Sequence, residues 1–152
     1  MQKILISEAD FDIRAEYDAL KKTGVGAVVM FAGIVRDTAK DPQLIAMTLE
    51  HFPGMTEQEI ENIILQAEAR WPLQGVRVIH RVGRLLPQEN IVFVGTASAH
   101  REAAFESAAF IMDYLKTNAP FWKKERNADG KAHWVAAADT DEQRRRRWHE
   151  DI

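Results

Sequence analysis

The sequence predicts an α+β protein with a largely antiparallel sheet. Segments with the two-residue alternation of strands mix with segments of helical spacing, and the strands come in hairpin-like pairs instead of a repeated strand-helix-strand order. The chain has 152 residues, of which 46% are hydrophobic. This composition is sufficient for one domain, residues 1–152, to bury a substantial core.

The first third of the chain is predicted to contain one helix and three strands. Residues 3–7 form a short apolar strand, and residues 11–24 carry apolar side chains at helical spacing, with Gly24 in the position expected after a helix. Residues 26–36 are apolar and rich in β-branched side chains, as in a buried strand. Residues 44–52 form the next strand, which we expect to pair antiparallel with residues 26–36.

The clearest helical pattern covers residues 55–72. Its apolar side chains recur on one face of the helix. Thr56 and Glu59 have the spacing of a capping box, and Pro72 prevents the helix from continuing. These signals predict a helix that begins near Thr56 and ends before Pro72.

Two further strands, residues 76–83 and 90–97, are predicted to be joined by a turn. The second strand leads into a helix over residues 98–118, which Ser98 is expected to cap and Pro120 to stop. The side chains of this helix that we expect to face a core are Phe105, Ala108, Met112 and Leu115.

The last part of the chain is predicted to form a hairpin and a helical tail. Residues 120–126 and 131–137 flank an Asn-Ala-Asp-Gly segment, in which Asp-Gly is a good hairpin signal. Residues 138–152 form the helical tail, and its arginine run, Arg144–Arg147, has acidic residues on both sides. Such a run indicates a charge-compensated helix face rather than an arm that binds nucleic acid.

Composition and charge exclude several classes of function. The chain carries 20 Lys and Arg against 23 Asp and Glu, so its formal net charge of −3 gives no global attraction for nucleic acid or an anionic membrane. No apolar run approaches the roughly 18 to 20 residues of a membrane span, and the N-terminal segment lacks the layout of a signal peptide. We therefore expect a cytoplasmic protein.

The absence of cysteine excludes disulfides, thiolate metal sites and a cysteine nucleophile in this chain. The histidines do not have the spacing of a metal motif such as HExxH, and no Walker loop, GxSxG or GxGxxG motif is present. We expect no metal and no cofactor. Any anion must then be held by a local group of cationic side chains.

Several such side chains lie where strands and helices end. Arg36 ends an apolar strand, and His100 and Arg101 lie where a strand leads into a helix, so that backbone N–H groups and two side chains can converge on a phosphate or carboxylate. Lys116 ends the apolar face of its helix, where burial would lower its pKa and make it an acid, a base or an amine nucleophile. The alternative for each residue is an ordinary solvated side chain at the end of an element.

An extended strand at residues 121–126 places alternate side chains on opposite faces. We expect Lys123 to enter a pocket on the side of Phe121 and Glu125, while Lys124 stays in solvent. The alternative is a rim at which both lysines keep their ammonium groups in water.

Five segments carry a resemblance to a known family by their order and spacing: LEHFPGMTE, VIHRVG, IVFVGTASAHREAAF, IMDYLKTNAPFWKKE and HWV. From about Gly26 to Val135 the chain resembles the MoaE family, the large catalytic subunits of molybdopterin synthase. The resemblance implies an α/β hammerhead fold with a small additional antiparallel sheet. It also implies a homodimer that carries a small subunit on each side.

The activity that the resemblance implies is the conversion of a cyclic pyranopterin monophosphate, precursor Z, to molybdopterin. Two sulfur atoms are installed as a dithiolene. They arrive as a thiocarboxylate on the C-terminal Gly-Gly of a small ubiquitin-like partner, whose tail enters the large subunit. An enzyme that receives activated sulfur needs no thiol of its own, in keeping with the missing cysteines.

The resemblance also implies roles for individual residues. Lys116 and Lys123 correspond to catalytic lysines. The residues that correspond to the substrate-binding set are Phe31, Arg36, His100, Arg101 and Met112. Two positions depart from the family pattern, because Ile34 and Ala138 stand where related sequences often carry basic residues. Neither position is expected to contact an anion.

Two other functions are compatible with the same residues. One is a non-catalytic adaptor that docks a ubiquitin-like tail, which an intact tail complex without turnover would favour. The other is an enzyme that acts on a pterin phosphate without transferring sulfur. Binding of the pterin phosphate with no response to a thiocarboxylated partner would favour that second function.

The spacing of the candidate residues predicts a site made from two copies of the chain. Arg101 and Lys116 are fifteen positions apart on one predicted helix, roughly 22 Å at about 1.5 Å per residue. A pterin monophosphate is too short to span that distance. If both helix ends serve one substrate, as the resemblance implies, His100 and Arg101 must come from a neighbouring protomer unless the chain bends, and a homodimer is then obligatory for activity.

Overall fold

Two four-stranded sheets and four helices form the part of the chain that the computed structural model describes, which is residues 2–36, 44–135 and 139–149. In chain order the elements are β1 (Ile4–Ser7), α1 (Ile13–Leu20), β2 (Ala27–Ile34), β3 (Leu44–His51), α2 (Met55–Arg70), β4 (Leu73–Arg81), β5 (Gly83–Leu85), β6 (Asn90–Ser98), α3 (Arg101–Thr117), β7 (Phe121–Asn127), β8 (Ala132–Val135) and α4 (Asp139–Arg146). Among these strands every pair is antiparallel except β1 with β4. The predicted α+β class with a largely antiparallel sheet is confirmed.

The first sheet has the strand order β1-β4-β6-β2 and carries helices on both faces. On one face Val92 and Val94 of β6 join the main hydrophobic core with α2 and α3. On the other face Phe93 of β6 packs with Leu20 of α1. Because successive side chains of a strand point to opposite faces, β6 is buried on both sides and forms the surface on which α3 lies.

The second sheet has the strand order β5-β3-β7-β8 and a small core of its own. Met47 and Leu49 of β3 pack there with Leu85 of β5. The prediction that β3 pairs with β2 is wrong, because β2 pairs with β6, whereas β3 pairs with β5 and β7. The inward-facing side chains of β3 are buried in the core of the second sheet, and β3 therefore belongs to that sheet and does not pair with β2.

The first helix is shorter than its sequence pattern predicts. Helix α1 ends at Leu20, before Gly24, and the backbone of Lys21 is already extended. The side chain of Asp12 caps its first turn by accepting hydrogen bonds from the N–H groups of Arg14 and Ala15. Gly24 instead adopts a positive φ of 90° in the turn that leads to β2.

The capping box predicted for α2 from Thr56 and Glu59 is wrong. Glu57 accepts the backbone hydrogen bond that Gly54 donates at the start of the helix. The hydroxyl of Thr56 accepts a backbone hydrogen bond from the preceding segment at 2.9 Å and donates to the carbonyl oxygen of Pro120 at 3.0 Å. Thr56 therefore ties α2 to the start of β7, a contact that is distant in sequence.

The start of α3 also differs from the prediction. Ser98 does not cap the helix, because its hydroxyl donates to the carbonyl oxygen of Pro72 at 2.9 Å, and His100 takes the N-cap position without a side-chain hydrogen bond. Three of the four side chains predicted to face the core do so: Ala108, Met112 and Leu115. The fourth, Phe105, is 61% exposed, because Ala104, one position before it, occupies the buried face of this helical turn.

The predicted hairpin is confirmed, because β7 and β8 pair antiparallel across a turn in which Gly130 has a φ of 81°. After this hairpin, α4 returns the chain to α3. Trp148 is buried there, with its ring edge-to-face against Trp71 at 5.7 Å and Phe110 at 5.4 Å between centroids. Its indole N–H donates to Asp113 at 2.7 Å. Trp148 therefore anchors the turn after α4 to the main hydrophobic core.

The arginine run is paired in part with acidic and polar side chains. Arg145 donates to Glu142 and to Asn118, each at 2.8 Å. Arg147 donates to Asp113 at 2.8 Å. These contacts agree with a charge-compensated face.

Truncation of Trp148 is expected to destabilise the fold. Trp148→Ala removes the buried ring and its hydrogen bond, a change that typically lowers the free energy of unfolding by about 3 to 5 kcal/mol. Trp134→Ala is the control, because Trp134 is 55% exposed, and we expect it to lose less than about 1 kcal/mol. Urea unfolding at a fixed protein concentration measures both. Equal losses would contradict the anchoring role of Trp148.

Candidate active site

A cavity of about 650 Å³ opens where β2 ends beside the C-terminal half of α3. Two adjoining lobes of about 310 and 500 Å³ extend it along the second sheet. All three spaces share Ile91 and Lys116 as lining residues. We call the whole space the cation cavity, and its titratable or charged lining residues are Arg36, His80, Lys116, Lys123, Glu125 and Asp141.

Three elements bring cationic side chains to the cation cavity. Arg36 follows β2, Lys116 lies in the last turn of α3, and Lys123 lies in β7. Inward and outward side chains alternate along β7, as its extended backbone requires. Lys123 therefore lines the cavity, whereas Lys124 is exposed and lies 5.8 Å from the ring centroid of Trp134.

The remaining walls of the cation cavity are mostly apolar. Their apolar residues include Phe31, Ile34, Met47, Leu49, Ile91, Met112, Leu115 and Phe121. Ile34, one of the two positions at which the sequence departs from the pattern of the resemblance, is 54% exposed and gives the rim an apolar surface. Ala138, the other departure from that pattern, lies outside the described residues.

The environment of Lys116 lowers the pKa of its ammonium group. Lys116 is exposed by its accessible surface, but the cavity walls remove part of the hydration of its ammonium group, and this desolvation lowers the pKa of Lys116. Attraction by Asp141 opposes the fall in pKa, while repulsion by Lys123 adds to it. The Lys116 amine is consequently easier to deprotonate than an ordinary lysine, as a proton carrier or an amine nucleophile requires.

His80 is a candidate that the sequence analysis does not single out. Its ring lines the cation cavity beside Lys116 and stacks on Phe121, with centroids 3.8 Å apart and an interplanar angle of 16°. Burial lowers the pKa of His80 to about 4, and the charge of Lys116 contributes to the shift. The imidazole is therefore neutral at pH 7. The sequence offers only its place in an alternating strand, since Phe121 is distant along the chain.

His100 and Arg101 lie apart from the cation cavity. They line a separate cavity of about 430 Å³ at the N-terminal end of α3. Helix α3 places Arg101 and Lys116 roughly 22 Å apart along its axis, at about 1.5 Å per residue. Of the residues predicted for the site, the structure thus brings five together in one cavity and leaves these two at the other end of the helix.

The cation cavity is suited to bind an anionic group and to move protons. Arg36 and Lys116 are exposed and Lys123 is half-buried, and all three present guanidinium or ammonium donors beside apolar walls, where they can form charge-assisted hydrogen bonds to an anion. Within the described ranges no three metal-ligating side chains cluster. None of the helices described here has the length and apolar character needed to cross a membrane.

Comparisons of the sequence and of the structure with known proteins point to the same family. A family model described as MoaE protein matches residues 6–118. The chain is 53% identical over 150 residues to the molybdopterin synthase catalytic subunit of Brucella melitensis, which covers 97% of this chain and 91% of the relative. Its structure is similar to the molybdopterin biosynthesis MoaE protein of Burkholderia ambifaria, with a TM-score of 0.81, 49% identity and coverage of 97% of this chain and 98% of that one.

A more distant likeness concerns the protein-protein complex of subunit 1 and 2 of the molybdopterin-converting factor from Helicobacter pylori. The TM-score is 0.70, with 20% identity over 88% of each chain. At this identity the likeness shows a shared fold.

Changes to neighbouring charges are expected to move the pKa of Lys116 in opposite directions. Lys123→Met removes a like charge and should raise this pKa, whereas Asp141→Asn removes an attractive carboxylate and should lower it. Lys124→Met is the control, because Lys124 is exposed on the other face of β7. NMR titration of isotope-labelled lysine side chains measures all three variants. Equal responses to Lys124→Met and Lys123→Met would contradict the observed arrangement.

Proposed function

We propose, from the premise that this chain belongs to the MoaE family, that it is the catalytic subunit of a molybdopterin synthase and transfers sulfur in the biosynthesis of the molybdenum cofactor. The substrate is the cyclic pyranopterin monophosphate precursor Z, and the product is molybdopterin with its dithiolene. The observation that carries the proposal is the cation cavity, where Arg36, Lys116 and Lys123 converge from three elements on one largely apolar space.

The sulfur donor in this proposal is the C-terminal Gly-Gly thiocarboxylate of a small ubiquitin-like subunit. A Gly-Gly tail has no side chains beyond hydrogen, so it can enter a confined cavity and bring its anionic end to the lysines. The two-subunit complex known for the Helicobacter pylori protein of this fold supports a partner of this kind. Because the chain has a net charge of only −3, contacts with the tail outweigh long-range attraction in recognition.

Each transfer forms a carbon–sulfur bond on the pterin side chain, displaces an oxygen substituent from the same carbon as hydroxide or as the phosphate-ester oxygen, and then breaks the acyl–sulfur bond of the tail by hydrolysis. Water supplies the oxygen with which the tail leaves as a carboxylate. Two transfers therefore consume two thiocarboxylates, and no thiol of this chain takes part. The chain's own residues stabilise the negative charge that develops during each transfer, and cations beside apolar walls are suited to this role.

The residues of the cation cavity take different parts in this chemistry. Arg36 and Lys123 hold the anionic groups of substrate and tail, and Glu125 pairs with Lys123 at 3.8 Å to orient it. Lys116 is the group that gives and accepts a proton during sulfur transfer, because desolvation lowers its pKa. Phe31 and Met112, which line the cavity beside Lys116, provide an apolar wall for the pterin ring. With Arg36, Lys116 and Lys123 they are the five predicted site residues that line the cation cavity.

Two copies of the chain complete each site. His100 and Arg101 lie roughly 22 Å from Lys116 along α3, which is farther than a pterin monophosphate reaches. A second copy that brings its own His100 and Arg101 to the cation cavity would supply the missing anion contacts. The active assembly is then a homodimer with one small subunit on each side.

The proposed catalytic domain comprises residues 1–152. Within the predicted tail, helix α4 (Asp139–Arg146) contributes Asp141 to the cation cavity. The proposed location is the cytoplasm, as for a biosynthetic enzyme of this family.

Alanine variants are expected to separate the catalytic lysines from their neighbour. Lys116→Ala should lower the rate of sulfur transfer by at least about a hundredfold, because a proton-transfer group is lost. Lys123→Ala should lower it by at least about tenfold through the loss of a charge-assisted contact. Lys124→Ala should stay within about twofold, as for an exposed charge.

The assay for these variants combines the chain, precursor Z and the thiocarboxylated small subunit, and it measures dithiolene product. Urea midpoints establish that each variant is folded. A loss for Lys124→Ala equal to that for Lys123→Ala would contradict the assignment of faces. Tail binding by the wild-type chain without turnover would favour an adaptor, and pterin phosphate binding without use of the partner's sulfur would favour another pterin enzyme.

Mixing two inactive variants is expected to restore activity. Arg101→Ala and Lys116→Ala each damage a different end of α3, so a mixed dimer regains one complete site of its two. After subunit exchange at equal concentrations, about half of the dimers are mixed, and roughly a quarter of wild-type activity should return. Mass spectrometry of the intact dimers verifies the exchange. No recovery despite verified exchange would mean that each site is made within one chain.

A further inference from the structure

His80 has one ring nitrogen with a hydrogen-bond partner and one without. Its Nδ1 lies 2.8 Å from the backbone carbonyl oxygen of Arg81. Because a carbonyl oxygen only accepts hydrogen bonds, Nδ1 carries a proton. In the neutral ring Nε2 is then an acceptor, and it has no hydrogen-bond partner among the residues that the structure describes.

The orientation of the His80 ring is fixed from two sides. The Arg81 carbonyl holds its Nδ1 edge, and the Phe121 ring stacks on its face at 3.8 Å between centroids. Strand β4 holds the backbone of His80 between Ile6 of β1 and Val92 of β6. A side chain that is already held in place loses little entropy when it positions another group.

An acceptor and an ammonium group face the same space. His80 and Lys116 both line the main part of the cation cavity. They also both line the lobe of about 310 Å³, together with Lys123. Lys116 has three N–H donors, and none of them has a hydrogen-bond or ion-pair partner within the described ranges. The unpaired acceptor of His80 and the unpaired donors of Lys116 are therefore chemically complementary.

We propose that His80 is a positioning residue for sulfur transfer, whose Nε2 accepts a hydrogen bond from the ammonium group of Lys116 and directs that group towards the reacting atoms. The inference deepens the proposed function and rests on it. Lys116 remains the group that touches substrate and tail. His80 acts through it.

The surroundings of His80 keep it a neutral acceptor. The titratable and charged side chains that face it are, by element, Arg36 after β2, His51 of β3, Lys116 of α3, Lys123 of β7 and Asp141 of α4. Burial, the charge of Lys116 and the charge of His51 together lower the pKa of His80 to about 4. His80 is consequently too weak a base to take a proton from Lys116, and its lone pair stays available throughout the neutral pH range.

Two substitutions at His80 separate its shape from its acceptor. His80→Phe keeps a ring that can stack on Phe121 but removes both nitrogens. His80→Gln carries an amide oxygen that can replace Nε2 as the acceptor. His149→Phe is the matched control, because His149 is exposed and lines none of the cavities described.

The expected result is a change in kcat rather than in KM. His80→Phe should lower kcat by at least about tenfold, the effect of losing one hydrogen bond to a charged group, with KM within about threefold. Its pH–rate profile should move to lower pH, since the charged form of Lys116 loses an acceptor. His80→Gln should recover most of the lost kcat, and His149→Phe should match the wild type. A wild-type kcat in His80→Phe, or equal losses in the Phe and Gln variants, would overturn the proposal.

NMR provides a second test that does not depend on activity. Long-range nitrogen–proton correlations in the wild-type chain should show His80 neutral at pH 7, with its proton on Nδ1. A titration of Lys116 should give a lower pKa in His80→Phe than in the wild type. A proton on Nε2, or an unchanged Lys116 pKa in a folded His80→Phe chain, would overturn the inference.

The two sets of measurements distinguish failure of the inference from failure of the proposed function. A wild-type chain that makes no product from precursor Z and thiocarboxylated partner refutes the function, while the tautomer and the Lys116 pKa still decide the hydrogen bond. An active wild type with no response to His80→Phe refutes the positioning role alone.

Discussion

The packing of helix α3 on strand β6 is the interaction on which the rest of the structure depends. Ala104 and Ala108 are buried in this contact and are small enough for the helix and the sheet to approach closely. The buried hydroxyl of Thr96 donates to the Ala104 carbonyl oxygen at 2.7 Å and adds a direct hydrogen bond. Because α3 is one uninterrupted helix of 17 residues, this contact fixes Lys116 at one end and Arg101 at the other. The proposed division of the site between two copies of the chain rests on that length.

A second constraint is electrostatic. Arg36, Lys116 and Lys123 face one cavity, and their repulsion opposes the folded state when no ligand is present. Glu125, which is 3.8 Å from Lys123, and Asp141, which attracts Lys116, relieve part of this repulsion. A bound anion would relieve more of it, so that binding of substrate or tail also stabilises the fold. In the proposed function, this arrangement lowers the stability of the free chain and favours the binding of anions, as functional sites commonly do.

The features that the sequence predicts well are local ones. The alternation of Lys123 and Lys124 follows from the two-residue period of a strand, and the Asp-Gly turn at Gly130 follows from the conformations that glycine allows. The partner of β3 could not be predicted in this way, because sheet neighbours are chosen by burial between distant segments. Trp148 and His80 were missed for the same reason: each is held by side chains or strands that are remote in sequence. The roles proposed for individual cavity residues rest on the family resemblance, because residue patterns alone leave a solvated side chain as an alternative at each position.

The central claim is that the cation cavity passes sulfur from a partner's tail to a pterin. The most direct measurement is mass spectrometry of the complete reaction, with the chain, precursor Z and a small subunit whose thiocarboxylate carries a heavy sulfur isotope. We expect two labelled sulfur atoms in each molecule of product and two tails converted to carboxylates. Loss of precursor Z with no labelled sulfur in the product, or tail binding with no product at all, would contradict this function.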